Sequence, residues 1–413
     1  MAQHRQSKFT STSTLTRRSF LGISTGFGGL VLSGCGSDDD AVDAVATIEI
    51  LPTPLPTQAP AVPTQPPIAS PVAGYRDPRR WAGRSITVAS PALGEYLDAM
   101  TQAFFDAFAV STGATVRHQE FGREGISSLI DQVEVGAPVW DVLLIPTEDV
   151  LPIAQGGHLQ AIDYNVVDTA ALYSELTMQH GVGARLYSTV IVYPSQIDDA
   201  PASWADFWDL ERSQGTRALR RSPVGTLEFA LLADGVAVEK LYPLDTTRAF
   251  SSLEVLREAT LFYEDSKQPV ELVRTGQVGL ASAWSVRTAL PDVVSLVKPQ
   301  WNGGMIAADS WVLPRGGPNT DVAMSFVNFA TRAVPTANFS RLQNFGPVNT
   351  DAFALLRPDI AAGLPNHPEN LRLQFFQNWS YWAEFREPLM AQFEDWLLNP
   401  PSSPVVLTSP ANA

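Results

Sequence analysis

The globular part of this chain predicts an α/β fold with crossover helices, on three observations. After Arg84, short apolar runs alternate with segments of helical periodicity. Helix-start signals stand between them, and the chain is long and apolar enough, at 45% hydrophobic residues, to bury a sizeable core in two lobes. Ser85-Ile86-Thr87-Val88-Ala89 reads as a strand, followed by Leu97, Met100, Phe104 and Phe108 at helical spacing. Val139 to Pro146 reads as a buried strand, and so does Thr189 to Tyr193, whose β-branched continuity suggests parallel strands covered on both faces. Ser203 with Asp206 forms a capping-box pattern in front of Trp208. Thr226 begins a helix through Leu227, Ala230 and Leu231 that closes near Gly235, and Val322, Phe326 and Phe329 mark another. From Asn349 to Leu398 the chain is helix-like and rich in aromatics (Phe375, Phe376, Trp379, Tyr381, Trp382, Phe385, Phe393, Trp396), which read as packing. In such folds a ligand sits beyond the carboxyl ends of the strands, in loops leading into helices.

The N-terminus reads as an address. Arg17-Arg18-Ser19-Phe20-Leu21 precedes an apolar stretch ending at Leu32-Ser33-Gly34-Cys35. That stretch is broken by glycine, serine and threonine and is shorter than the roughly 18 residues of a spanning helix. The pair of arginines resembles a twin-arginine export signal, and Leu-Ser-Gly-Cys resembles a lipobox, in which Cys35 would carry lipid. Cys35 is the only cysteine, so no disulfide forms within one molecule. Residues 36–80, with prolines from Pro52 to Pro71, read as a disordered semi-stiff tether, and residues 399–413 as a flexible tail.

A net charge of −15, a pI near 4.7 and a mean hydropathy near zero exclude the basic face that nucleic acid requires and weakly favour cationic solutes. The five histidines show no ligand spacing, so no metal is expected. No glycine-rich phosphate loop is present, and no cofactor is expected. Gly22-Ile23-Ser24-Thr25-Gly26 matches a nucleophile elbow but lies in the leader, outside any strand–turn–helix context. An enzyme is therefore not expected, although a triad assembled from distant positions would leave no local trace.

From about Ile86 to Leu398 the sequence resembles the family 1 extracellular solute-binding proteins of ABC importers, in particular the spermidine/putrescine branch. Ordered blocks carry the resemblance: Glu95-Tyr96-Leu97-Asp98-Ala99, Trp140-Asp141-Val142 with Gly156-Gly157-His158-Leu159, Pro201 to Asp209, Thr226 to Leu232, Gly276 to Gly279 before Trp284, Asp309 to Pro314, and Gly346-Pro347-Val348-Asn349. The resemblance implies a two-lobed periplasmic binding protein-like fold of type II, with hinge strands and an interlobe cleft that closes on its solute. Residues 84–188 with 307–345 would form one lobe, and 189–306 with 346–398 the other. It implies a monomer that delivers a polyamine or other small amine to a membrane permease. Asp309 matches the amine-binding aspartate and Trp284 a stacking aromatic. Tyr96, Glu95, Thr147, Ser222 and Phe345 fall at the remaining ligand positions. Arg220-Arg221-Ser222-Pro223-Val224-Gly225 departs from the pattern, because Ser222 and Gly225 stand where polyamine binders place acids. Two arginines before a helix start would suit an anionic or zwitterionic solute, unless they are surface arginines. An exported hydrolase or a sensor subunit is the alternative of another class.

Overall fold

The computed structural model describes residues 72–399 apart from 123 and 212–214. The export signal, Cys35, the proline-rich stretch up to residue 71 and the tail from residue 400 lie outside these described residues. Strands β1 Ser85–Ser90, β2 Thr115–Glu120, β3 Val142–Pro146, β4 Thr177–Met178, β5 Gly181–Pro194, β6 Arg217–Arg220, β7 Thr260–Tyr263, β8 Leu280–Trp284, β9 Val297–Val312 and β10 Phe375–Phe376 form one hydrogen-bonded sheet. Its order is β2-β1-β3-β9-β5-β8-β6-β7, with β10 on β9 and β4 on β5. The helices are α1 Gly94–Met100, α2 Asp106–Thr112, α3 Gly125–Glu134, α4 Thr147–Gln155, α5 Trp204–Trp208, α6 Pro223–Ala233, α7 Thr246–Leu256, α8 Gln268–Arg274, α9 Ser285–Thr288, α10 Thr320–Ala330, α11 Ala333–Gln343, α12 Pro358–Ala362, α13 Pro368–Leu371 and α14 Trp379–Leu398. None of the described helices is long and apolar enough to cross a membrane.

The sheet is continuous because β5 and β9 are long, 14 and 16 residues, and pair with each other along most of their length. At one end they continue β1–β3, where Phe104, Phe108, Trp311, Phe326 and Phe329 form an apolar cluster. At the other they continue β8, β6 and β7, where Trp204, Phe207, Phe229, Trp382 and Phe393 form a second. The register slips between Thr189 and Ile191, whose partners are Met305 and Gln300, so a short piece of β9 bulges out. Gly303 in that bulge has φ +72°, and a Cβ there would meet the Trp204 ring at 2.8 Å. Trp204 Nε1 donates to the Gly303 carbonyl at 2.8 Å. The two long strands therefore change partners where the two cores meet.

Several local expectations hold. The Ser203–Asp206 capping box opens α5, and β1, α10 and the helical spacing from Leu97 to Phe108 are observed, the last with one π-helical turn at 101–105. The structure corrects three others. The strand at 189–193 belongs to β5, which is antiparallel to both β8 and β9. Its unbroken apolar run reflects a central position covered on both faces, which parallel direction is not needed to produce. Residues 139–141 precede β3, and Asp141 instead accepts from the Thr87 amide at 2.8 Å. Residues 72–80, read as tether, are already docked: Tyr75 packs edge-on against Phe329, and its hydroxyl donates to the Ser325 carbonyl at 2.7 Å. The C-terminal segment is also shared between the two ends. Ala352, Leu356 and Ala361 pack with Ala337 of α11, whereas α14 packs in the second cluster.

Candidate functional site

The cross-strand pair Arg185 and Asp309 sits where β5, β9 and the end of β3 meet, since Asp309 faces Arg185 on one side and Pro146 on the other. Arg185 Nε donates to Asp309 Oδ2 at 2.6 Å, and its Nη2 bonds the same oxygen. Both residues are buried, 9% and 8% exposed. Burial pushes the Asp309 carboxyl up, and the Arg185 guanidinium opposes that rise. The guanidinium is held between two rings, 4.6 Å from the Tyr96 centroid and 4.4 Å from Phe345. Phe345 is fixed there by the paired backbone bonds between Leu186 and Gly346. Arg185 Nη1 and the Tyr96 hydroxyl are buried with no hydrogen-bond partner among the described residues.

One alternation further along β5, Tyr187 lies 5.1 Å from the ring of Trp284, at the end of β8. Burial raises the Tyr187 phenol far above its ordinary range. The charges of Asp309 and Glu148 add to that rise, and Arg220 and Arg185 oppose it. Arg220, the last residue of β6, lies over Trp284 at 5.3 Å and lines a small recess with Tyr263, Glu264 and Ser266. Its guanidinium has no ion-pair or hydrogen-bond partner among the described residues. Arg221 faces away and forms a bidentate pair with Glu394 of α14, at 3.1 and 2.5 Å. Only the first arginine of the pair therefore belongs to the recess.

A third group closes the other side. Glu148 and Asp149 occupy the first turn of α4, directly after the β3 strand end. Arg386 of α14 reaches across to both, at 3.2 and 2.6 Å, and Gln377 donates to Glu148. Burial raises the Asp149 carboxyl, and Arg386 opposes this. Three carboxylates (Glu148, Asp149, Asp309) thus meet two guanidiniums (Arg185, Arg386) around the strand ends.

The residues singled out by sequence have unequal fates. Tyr96, Phe345, Asp309, Trp284 and Arg220 come together around β5. Thr147 is buried, and its hydroxyl shares a 2.7 Å bond with Ser310. Ser222 caps the turn after β6, accepting from the Val224 amide at 3.2 Å. Glu95 is exposed on α1. Sequence reasoning missed Arg185, Tyr187, Glu148, Asp149, Gln377 and Arg386. A signal for two of these was present: Arg185 and Tyr187 are alternate residues in an otherwise apolar run, which places both on one face of a strand. No cluster of three or more metal-ligating side chains occurs among the described residues.

Two cores joined by shared strands, with charged and aromatic side chains converging at the junction, define a two-lobed solute-binding protein. Residues 103–368, more than half of the chain, match the profile described as a bacterial extracellular solute-binding protein, and the chain belongs to that family. It is similar to a gamma-aminobutyric acid-binding protein of Pseudomonas aeruginosa, 31% identical over 306 residues that cover 72% of this chain and 87% of the relative. Among solved structures it is similar to an ABC transporter substrate-binding protein from Bradyrhizobium japonicum. That likeness has 33% identity and a TM-score of 0.71, and covers 75% of this chain and 99% of that one. Similarity to the spermidine/putrescine-binding periplasmic protein of Escherichia coli is more distant, 24% over 171 residues, 40% of this chain and 48% of the relative. The polyamine branch expected from the sequence is therefore the weaker likeness.

Proposed function

We propose that this protein captures a small zwitterionic amino acid of the 4-aminobutyrate type in the interlobe cleft and presents it to an ABC permease. The observation that carries this reading is the unequal state of the site's charges. Asp309, the residue matched to an amine-binding aspartate, is already engaged by Arg185, while the Arg220 guanidinium lies over Trp284 without a carboxylate partner among the described residues. A half-buried guanidinium in an aromatic recess suits a ligand carboxylate. The excess of one carboxylate over the guanidiniums at Glu148, Asp149 and Asp309 suits an ammonium. Trp284, Tyr187 and Phe345 supply apolar walls for the methylenes between the two ends. The name of the relative from Pseudomonas aeruginosa supports the 4-aminobutyrate-type ligand, and that of the protein from Bradyrhizobium japonicum supports the ABC transporter alone. A lipid anchor at Cys35 would hold the protein at the outer face of the membrane.

Calorimetric titration of the wild type and R220A with 4-aminobutyrate, putrescine and spermidine tests this. Binding of 4-aminobutyrate that R220A weakens roughly ten- to a hundred-fold supports the zwitterion. Binding of the diamine or triamine alone, indifferent to R220A, would restore the polyamine reading and overturn ours.

A further inference from the structure

Glu228, on α6, is fully buried, and its carboxylate is shared among three segments. Oε2 accepts from the Gly225 amide at 2.9 Å. Oε1 accepts from the Tyr242 hydroxyl at 2.6 Å and from Trp382 Nε1 of α14 at 2.7 Å. The first bond is the return half of a capping box, because Val224 and Gly225 are not helical and the helix proper begins after Gly225, at φ +82°. A glutamate that only caps has no need of burial, and glutamates are almost never buried without a partner of opposite charge. Here none of the strongest influences on its proton is a cation. The titratable groups facing it are Tyr242 and, from α14, Tyr381. Of the charged side chains on neighbouring helices, Arg248 of α7 pairs with Asp234, Arg386 of α14 with Asp149, and Glu394 of α14 with Arg221.

The segment that Glu228 holds is the one that carries Arg220. The Arg220 carbonyl accepts from the Ser222 amide at 2.8 Å and from the Thr226 hydroxyl at 3.3 Å. Ser222, Gly225 and Thr226 therefore form one short turn whose start is Arg220 and whose end is tied to Glu228. On α14, Trp382 is four residues from Arg386, which bonds the acids on the opposite side of the cleft. We propose that Glu228 is a positioning residue for solute capture: its buried carboxylate ties the Arg220–Gly225 turn to helix α14, so that the arginine and the far wall of the cleft are held in one arrangement.

This rests on the zwitterion reading for its ligand, and the ionised carboxylate is the form that accepts all three bonds. Burial pushes this carboxyl up to about 7, so its ionisation falls in an accessible range. Full-length wild type, E228Q and Y242F are titrated calorimetrically with 4-aminobutyrate from about pH 5.5 to about pH 8.5. In the wild type, affinity rises with pH through about 7. In E228Q it is flat and about ten-fold weaker at the alkaline end, since the amide cannot serve all three donors. Y242F keeps the slope with its midpoint moved to higher pH, because one bond to the charged form is lost. Wild-type affinity and slope in E228Q would overturn the proposal. No binding of 4-aminobutyrate by the wild type at any pH would end the zwitterion reading alone. Glu228 is then judged by hydrogen exchange of the ligand-free protein: protection of residues 220–226 lost in E228Q supports its role, and unchanged protection refutes it.

Discussion

The two ends of the cleft handle charge in opposite ways. At the junction of β3, β5 and β9, Asp309 and Arg185 are both buried and neutralise each other between two rings. Beyond the end of β6, among the described residues, the Arg220 guanidinium makes no ion pair although Glu264 lines the same recess, and the nearby buried Glu228 meets no cation. The first arrangement pairs its two charges within the protein, with Arg185 Nη1 still unpartnered among the described residues, so removing either member leaves a buried charge. In the second, hydrogen bonds hold the backbone turn that carries Arg220, through the Arg220 carbonyl and the Gly225 amide. A residue matched to a ligand-binding position by sequence can thus be engaged by an internal partner, as Asp309 is by Arg185.

The largest effect that would sharpen this contrast is at the complete pair. Asp309→Ala is expected to cost about 3–5 kcal/mol in denaturant unfolding, because Arg185 is left buried and uncompensated. The double variant R185M/D309L is expected to lose far less, and an equal loss in single and double variants would break the argument. Next is the pH dependence of stability from Glu228. Its carboxyl is raised from 4.5 to about 7 in the folded protein, so the native state holds the proton more tightly than the unfolded chain. Its contribution is fully present below about pH 4.5 and is lost as pH rises through about 7, on the order of 3 kcal/mol in all. Comparing unfolding free energies of wild type and E228Q across that window isolates this loss, which E228Q abolishes.

A smaller effect is expected at the incomplete end. R220A is expected to weaken 4-aminobutyrate binding by about 1.5–3 kcal/mol, roughly ten- to a hundred-fold, with the melting temperature of the ligand-free protein unchanged. A clear loss of Tm in R220A would mean that the arginine has a structural partner after all. The smallest effect is at its neighbour. R221A removes an exposed pair with Glu394 and is expected to change neither Tm nor affinity measurably, which differential scanning fluorimetry and the same titration check.

Features governed by neighbours in the chain were legible. The Ser203–Asp206 box and the helix beginning at Thr226 are local hydrogen-bond patterns, and α10 follows from the spacing of Val322, Phe326 and Phe329. Asp309 and Trp284 were singled out through resemblance, and the structure places both along β5. Arg185 showed only its alternation with Tyr187, because its role lies in a pairing with Asp309 across 124 positions. Arg386 was hidden among the aromatics of α14, since nothing in its own helix reveals the acids of α4 that it meets.

The sequence by itself determined the α/β class, the family and the starts of α5 and α6, because these depend on periodicity, caps and ordered blocks that are written along the chain. Only the tertiary structure decided strand direction in β5, the pairing of Asp309, and the division of labour between Arg220 and Arg221. Those outcomes depend on which side chain arrives from a distant segment: a buried charge takes the first counter-charge that the fold brings to it, and a charge that meets none is left for a ligand.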